Sequence, residues 1–181
     1  PSTSSAASDV YKRQLLNTST GTDGNSLHVK PLNQNDAAWA PIVDGFTHHS
    51  SVVEHVNGKL YMLTDIDAPR YRLVAVDPAY PSNMALWSDV LPESEDLLES
   101  VSVVGGQLWA IYLHNASNRV MRCDLDGSNA RVVALPSEVG SVGGFVGKMD
   151  AKDLYYAFTS FTQPTSTVSY THLRAHETRT Y

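Results

Sequence analysis

The feature that most constrains this chain is a strand hairpin that it writes more than once. Val56–Asp77, VNGKLYMLTDIDAPRYRLVAVD, opens with a turn signal at Asn57-Gly58 and runs into Leu60-Tyr61-Met62-Leu63. A polar stretch with Ala68-Pro69 separates it from Leu73-Val74-Ala75-Val76. Short apolar runs bracketed by turn formers read as paired strands. A helix here would be broken by Pro69. Val104–Asp124, VGGQLWAIYLHNASNRVMRCD, repeats the pattern, with Gly106 against Gly58, Leu108 against Leu60 and Trp109 against Tyr61. Leu60 to Leu108 is a step of 48 residues, and Leu108 to Leu154, where DLYYAFTSFTQP begins, is a step of 46. Upstream, SLHVKPL matches RLVAVDP, with Leu27 lying 46 before Leu73. A period near this length with short strands in each unit is the signature of propeller blades.

The remaining segments fit an all-β chain of antiparallel strands, about three blades and part of another. Leu15–Thr20 reads as a strand end, Gly21–Asn25 as a turn, and Leu27–Leu32 as a strand that Pro31 places near its end or at an edge. Trp39-Ala40-Pro41-Ile42 is expected to begin the next unit, followed by a strand at Ser51–Val56. Pro78, Pro81 and Pro92 mark DPAYPSNMALWSDVLPES as a connection, after which Leu97–Val104 leads into the second hairpin. Asp126-Gly127 turns into Ala130–Leu135. Gly140–Gly147, GSVGGFVG, carries glycines that permit tight turns or close approach, and Lys148–Asp153 is the turn before the last strand pair. The ends differ in kind. Pro1–Gln14, PSTSSAASDVYKRQ, lies outside the repeat, and Ser169–Tyr181, SYTHLRAHETRTY, departs from strand composition. Both resemble translated sequencing-adapter sequence, so the domain is expected over Leu15–Val168, with 1–14 and 169–181 outside it. Ordinary disordered termini are the alternative.

Composition narrows the class. Apolar residues at 42% and charged residues at 18% describe a globular segment, and 181 residues suffice for one domain with a proper core. A formal charge of −6 and the lack of a basic stripe in the repeat argue against nucleic acid. No apolar run reaches the roughly 18 residues of a membrane span, and the first residues lack a secretion-signal pattern. Cys123, the only cysteine, sits in the apolar strand VMRCDL and reads as a small buried hydrophobe.

At this point the residues resemble a known family. VNGKLYMLTDIDAPRYRLVAVDP, WSDVLPES with DLLESVSVV, IYLHNASNRVMRCDLDG, and LPSEVGSVGGFVGKMDAKDLYYAFTSFTQPTS are similar in order and spacing to the propeller domain of prolyl oligopeptidases. The likeness covers about Gly21–Ser166. It implies a seven-bladed propeller paired with an α/β-hydrolase domain, in which the propeller admits only short, unstructured peptides that are cut after proline. Such chemistry needs a serine, a histidine base and a carboxylate, with the serine in a glycine-flanked elbow. Gly127-Ser128-Asn129 lacks the second glycine, and Gly140-Ser141-Val142-Gly143 belongs to the propeller pattern. The resemblance also implies a loop that brings an arginine and a cysteine near the substrate pocket. It would fall at Ser19–Asp23, where Ser19 and Thr22 stand instead.

The remaining constellations carry bland readings. His48, His49 and His55 fit no standard zinc spacing, and His172 with His176 lacks the glutamate of a zinc protease motif. Asn17-Thr-Ser and Asn115-Ala-Ser match the glycosylation pattern, which chance supplies often. Glu93, Glu95, Asp96 and Glu99 are expected to form a solvated surface loop, and Tyr155, Tyr156, Phe158 and Phe161 to pack between blades. No catalytic, cofactor-binding or metal-ligating residue is assigned. Two functions follow: a substrate-gating propeller segment of a prolyl oligopeptidase-like serine peptidase, with a hydrolase domain and short peptides as partners, or a propeller scaffold that binds a protein or peptide without catalysis.

Overall fold

The computed structural model describes residues 13–34, 36–171 and 179–180. Among them the strands are β1 (Arg13–Thr18), β2 (Ser26–Pro31), β3 (Ala40–Val43), β4 (Ser50–Val56), β5 (Lys59–Thr64), β6 (Arg72–Val76) and β7 (Ser88–Leu91). They continue with β8 (Leu97–Val104), β9 (Gln107–His114), β10 (Ser117–Asp124), β11 (Arg131–Val132), β12 (Ser141–Val146), β13 (Asp153–Ser160), β14 (Gln163–Thr171) and β15 (Arg179–Thr180). Each sheet follows chain order: β1-β2-β3, β4-β5-β6-β7, β8-β9-β10-β11 and β12-β13-β14-β15. All neighbours are antiparallel. Three four-stranded sheets and one of three strands are the blades that the period announces.

Local chemistry explains the hairpins. Asn57 and Gly58 have φ of 48° and 84°, and Gly105 and Gly106 have 60° and 72°. Two successive residues with positive φ make the turn whose twist matches that of the flanking strands. Beyond these turns the next strand pairs in the expected register: Leu60 faces Val76 and Leu63 faces Leu73, while Leu108 faces Cys123 and Ile111 faces Val120. The first strand of each four-stranded blade also carries a bulge, between Val52 and Glu54, Leu98 and Ser100, and Val142 and Phe145. A bulge bends and twists its strand.

Several expectations are corrected. Trp39–Ile42 does not begin a new unit: β3 pairs with β2 and closes the first sheet, because Pro41 can sit in an edge strand. The proline-broken connection holds a single-turn 3-10 helix, Met84–Leu86, and then β7 on the edge of the second sheet. The strand expected over Ala130–Leu135 shrinks to Arg131–Val132, and the glycine-rich Gly140–Gly147 is largely β12. At the ends, Arg13 and Gln14 belong to β1, and Ser169–Thr171 continue β14 as far as the pair Asp153–Thr171. The rest of Pro1–Gln14 and most of the tail after Thr171 lie outside the described residues.

The chain divides at Pro92 into two compact units of two blades each. In the first, Leu27, Val29, Ile42 and Val43 of blade 1 pack with Leu60, Met62, Ile66, Val74 and Val76 of blade 2. In the second, Val104, Trp109, Ile111, Val120 and Val133 of blade 3 meet Val142, Phe145, Leu154, Tyr156, Phe158 and Val168 of blade 4. Alternating side chains put one apolar row on each inner face. Cys123 is buried, as its strand implies, and burial pushes its thiol up to about 11. No helix among the described residues is long and apolar enough to cross a membrane.

Candidate functional site at the loop ends of the blades

In the first unit the β1–β2, β3–β4 and β5–β6 connections emerge at the same end, as antiparallel order requires. Gly24 lets the first of them lie against the second: a Cβ there would stand 2.5 Å from the backbone N of His48. Asn25 follows, buried, and its N–H donates to the His48 carbonyl at 2.8 Å. Its side-chain Nδ2 donates to Asn17 Oδ1 at 2.9 Å and to the Ser50 carbonyl at 2.8 Å. Its Oδ1 accepts from the Ser50 N–H at 2.8 Å. Ser50 Oγ and Thr64 Oγ1 share a 2.7 Å hydrogen bond. Asp65 accepts from the His49 N–H at 2.9 Å and lies 3.3 Å from His48 Nδ1, an ion pair whenever that ring is protonated. Asp67 and Tyr71 hold φ of 52° and 63°, left-handed backbone that an aspartate tolerates and a tyrosine rarely adopts. Burial, and then the nearby Asp65 charge, raise the Tyr71 phenol above its ordinary value.

The loop end of the second unit is built differently. Asp96 receives His114 Nδ1 at 2.8 Å on one oxygen and Arg119 Nη1 at 3.4 Å on the other. Asn118 Nδ2 donates to Glu99 Oε2 at 2.6 Å, and its Oδ1 accepts from the Val142 N–H at 2.7 Å. Its own N–H donates to the Gly140 carbonyl at 2.9 Å. Ser117 Oγ accepts from the Gly140 N–H at 2.9 Å. The acidic cluster is thus corrected in part. Glu93 and Glu95 lie exposed, but Asp96 is largely covered between His114 and Arg119, and Glu99 is held by Asn118.

The other singled-out residues are scattered. His48 and His49 precede β4 and His55 stands near its far end, some six residues or about 20 Å away along a strand. Among the described residues no three of His, Cys, Asp and Glu converge in a way that would hold a metal. Asn17 faces Asn25, and Asn115 sits at the β9–β10 tip with φ 48°. Tyr156 and Phe158 pack inside the second unit as expected, but Tyr155 is half exposed and Phe161, at the β13–β14 tip, is 100% exposed. His172 and His176 lie outside the described residues. The Ser19–Asp23 loop is exposed throughout, and Ser19 and Thr22 project no cation there. Sequence reasoning missed Asn25, Ser50, Thr64 and Asn118. The bonds that tie them to other strands span 14 to 25 residues, beyond any local pattern.

Four-stranded antiparallel sheets repeated along the chain, each packed on the next within its unit, define the β-propeller class. The family model of the prolyl oligopeptidase N-terminal β-propeller domain matches residues 4–179, and the chain belongs to that family. It is 33% identical over 162 residues to the prolyl endopeptidase of Elizabethkingia meningoseptica, across 90% of this chain and 22% of that protein. Against the prolyl endopeptidase of Elizabethkingia miricola the identity is 31% over 150 residues, across 83% of this chain and 21% of that protein. The chain spans about a fifth of the length of these curated relatives. A solved prolyl endopeptidase, from a study of two such enzymes and their inter-domain dynamics, aligns with a TM-score of 0.83 at 32% identity, over 94% of this chain and 24% of that one. Apo prolyl oligopeptidase B from Galerina marginata shares the fold, with a TM-score of 0.80 at 18% identity over 93% of this chain and 25% of that one.

Proposed function

We propose that this chain is the substrate-gating propeller segment of a serine peptidase of the prolyl oligopeptidase family, in which an α/β-hydrolase domain of the same parent polypeptide cuts short proline-containing peptides. The observation that carries this reading is the 33% identity across 90% of the chain to a prolyl endopeptidase of which the chain covers 22%. A hydrolytic nucleophile needs an adjacent base and an orienting group, whereas the hydroxyls of Ser50, Thr64 and Ser117 are spent on structural bonds. The segment acts by shape: stiff sheets with short loops exclude folded protein.

The test replaces the matching segment of the Elizabethkingia meningoseptica enzyme with residues 13–171 of this chain. Cleavage rates are then measured on proline peptides of increasing length. The reading expects short peptides to be cut and long or folded ones rejected, with no cleavage by this chain alone. A folded chimera that cuts long and short substrates equally would remove the gating role, and turnover by the isolated chain would remove the division of labour.

A further inference from the structure

The first strand of each blade lies at a sheet edge, so every second N–H and C=O along it has no ladder partner. Such groups need a partner when they are covered. For Ser50, in the first strand of blade 2, both groups are met by one side chain: Asn25 Oδ1 accepts from its N–H at 2.8 Å and Asn25 Nδ2 donates to its C=O at 2.8 Å. A primary amide has the donor and acceptor of a peptide group, and here it takes the place of a missing strand. In the second unit Asn118 Oδ1 accepts from the N–H of Val142, in the first strand of blade 4. The Asn118 N–H serves the Gly140 carbonyl, on the same edge two residues earlier.

The two asparagines hold the same place in the repeat. Asn25 stands two residues before Leu27 of β2, and Asn118 two before Val120 of β10, and the repeat sets both Leu27 and Val120 against Leu73 of β6. Each reaches forward by nearly the same distance in sequence, 25 residues to Ser50 and 24 to Val142. Tyr71 stands two before Leu73 in the intervening repeat, with a phenol in place of an amide. We infer that Asn25 and Asn118 are a repeated cross-blade clamp: each fixes the hairpin loop of one blade to the edge strand of the next, so that the loop end of a two-blade unit is presented as one surface.

The experiment is residue-resolved amide hydrogen exchange on the full 181-residue chain, comparing N25A, N118A and N118D with the parent. Strand-centre amides of Met62 and Ala110 report that the sheets are intact. The clamp predicts that N25A speeds exchange at Ser50, and N118A at Val142, each by about tenfold, with the strand-centre amides unchanged. N118D is made together with E99Q, because Asn118 Nδ2 donates to Glu99 Oε2 at 2.6 Å and two carboxylates would repel there; this variant keeps an oxygen for the Val142 N–H, so it restores protection that N118A removes. If N25A prevents folding, the N118A and N118D pair decides alone. Exchange within about twofold of the parent in both alanine variants, or N118D behaving as N118A does, overturns the clamp. So does acceleration at only one of the two sites.

Discussion

The two units join their blades with different materials. In the first, the seam is aliphatic, with Leu27, Val29, Ile42 and Val43 against Leu60, Met62, Val74 and Val76, and its loop end is sealed by buried polar groups. Asn25, Ser26, Ser50 and Thr64, the buried polar residues of the described chain, all fall in this unit. In the second, the seam is aromatic. Trp109 is fully buried, with its ring centroid 5.0 Å from Phe145 and 5.2 Å from Tyr170, and Phe145 lies 5.2 Å from Tyr156. The Trp109 indole N–H donates to the Val104 carbonyl at 3.2 Å, so its one polar atom is satisfied. Burial pushes the Tyr156 phenol up to about 12. One repeat therefore tolerates two chemistries, because a blade needs only a filled seam and satisfied edge groups. Large aromatics fill one seam and aliphatic side chains the other, while asparagine hydrogen bonds bridge both.

The contrast is broken most forcefully at Trp109. Trp109→Ala removes the largest buried side chain of the second seam and should cost about 3–5 kcal/mol, read from urea unfolding of the full chain. A loss under about 1 kcal/mol would mean that the aromatic cluster is not what holds that seam. In the first unit, Thr64→Val leaves the buried Ser50 hydroxyl without its 2.7 Å partner and should cost about 1–3 kcal/mol. Replacing both, Ser50→Ala with Thr64→Val, should recover part of that loss, since the Ser50 hydroxyl is then gone and only the Ile66 N–H, which donates to Thr64 Oγ1 at 3.3 Å, loses its acceptor. Equal losses in the single and double variants would show that the pair is not coupled. The smallest effect is expected at Phe161. It is fully exposed at a hairpin tip, so Phe161→Ser should shift stability by no more than about 0.5 kcal/mol. A larger loss would show that this ring is covered.

Much of the fold was legible in the sequence because strand hairpins are local. Asn57-Gly58 and Gly105-Gly106 state their turn, and the apolar runs on either side state the register. Edge strands were harder. β3 and β7 are four residues each and contain or follow prolines, so from sequence Trp39–Ile42 reads as the start of the next unit and Ser88–Leu91 as part of a connection. The bulges at Val52–Glu54 and Leu98–Ser100 leave no local mark, since one extra residue in a strand looks like any other. The site was less legible still. Asp96 reads as one more surface carboxylate until the fold brings His114 and Arg119 to it, 18 and 23 positions along the chain. Asn25 reads as the end of a turn, and only the packing of blade on blade shows it spanning a seam. Of the aromatic run, Tyr156 and Phe158 point inward while Tyr155 points out, as alternation along a strand requires.

The central claim is that both units are written on one repeat with one register, and cross-strand proton contacts test it most directly. Met62 faces Val74 in the first unit, and Ala110 faces Met121 at the equivalent place in the second. Two-dimensional nuclear Overhauser spectra of the full chain should show backbone contacts within both pairs, the same pattern in each hairpin. A helical pattern between residues three apart in either hairpin, or a register shifted by one residue in one hairpin relative to the other, would contradict the shared repeat.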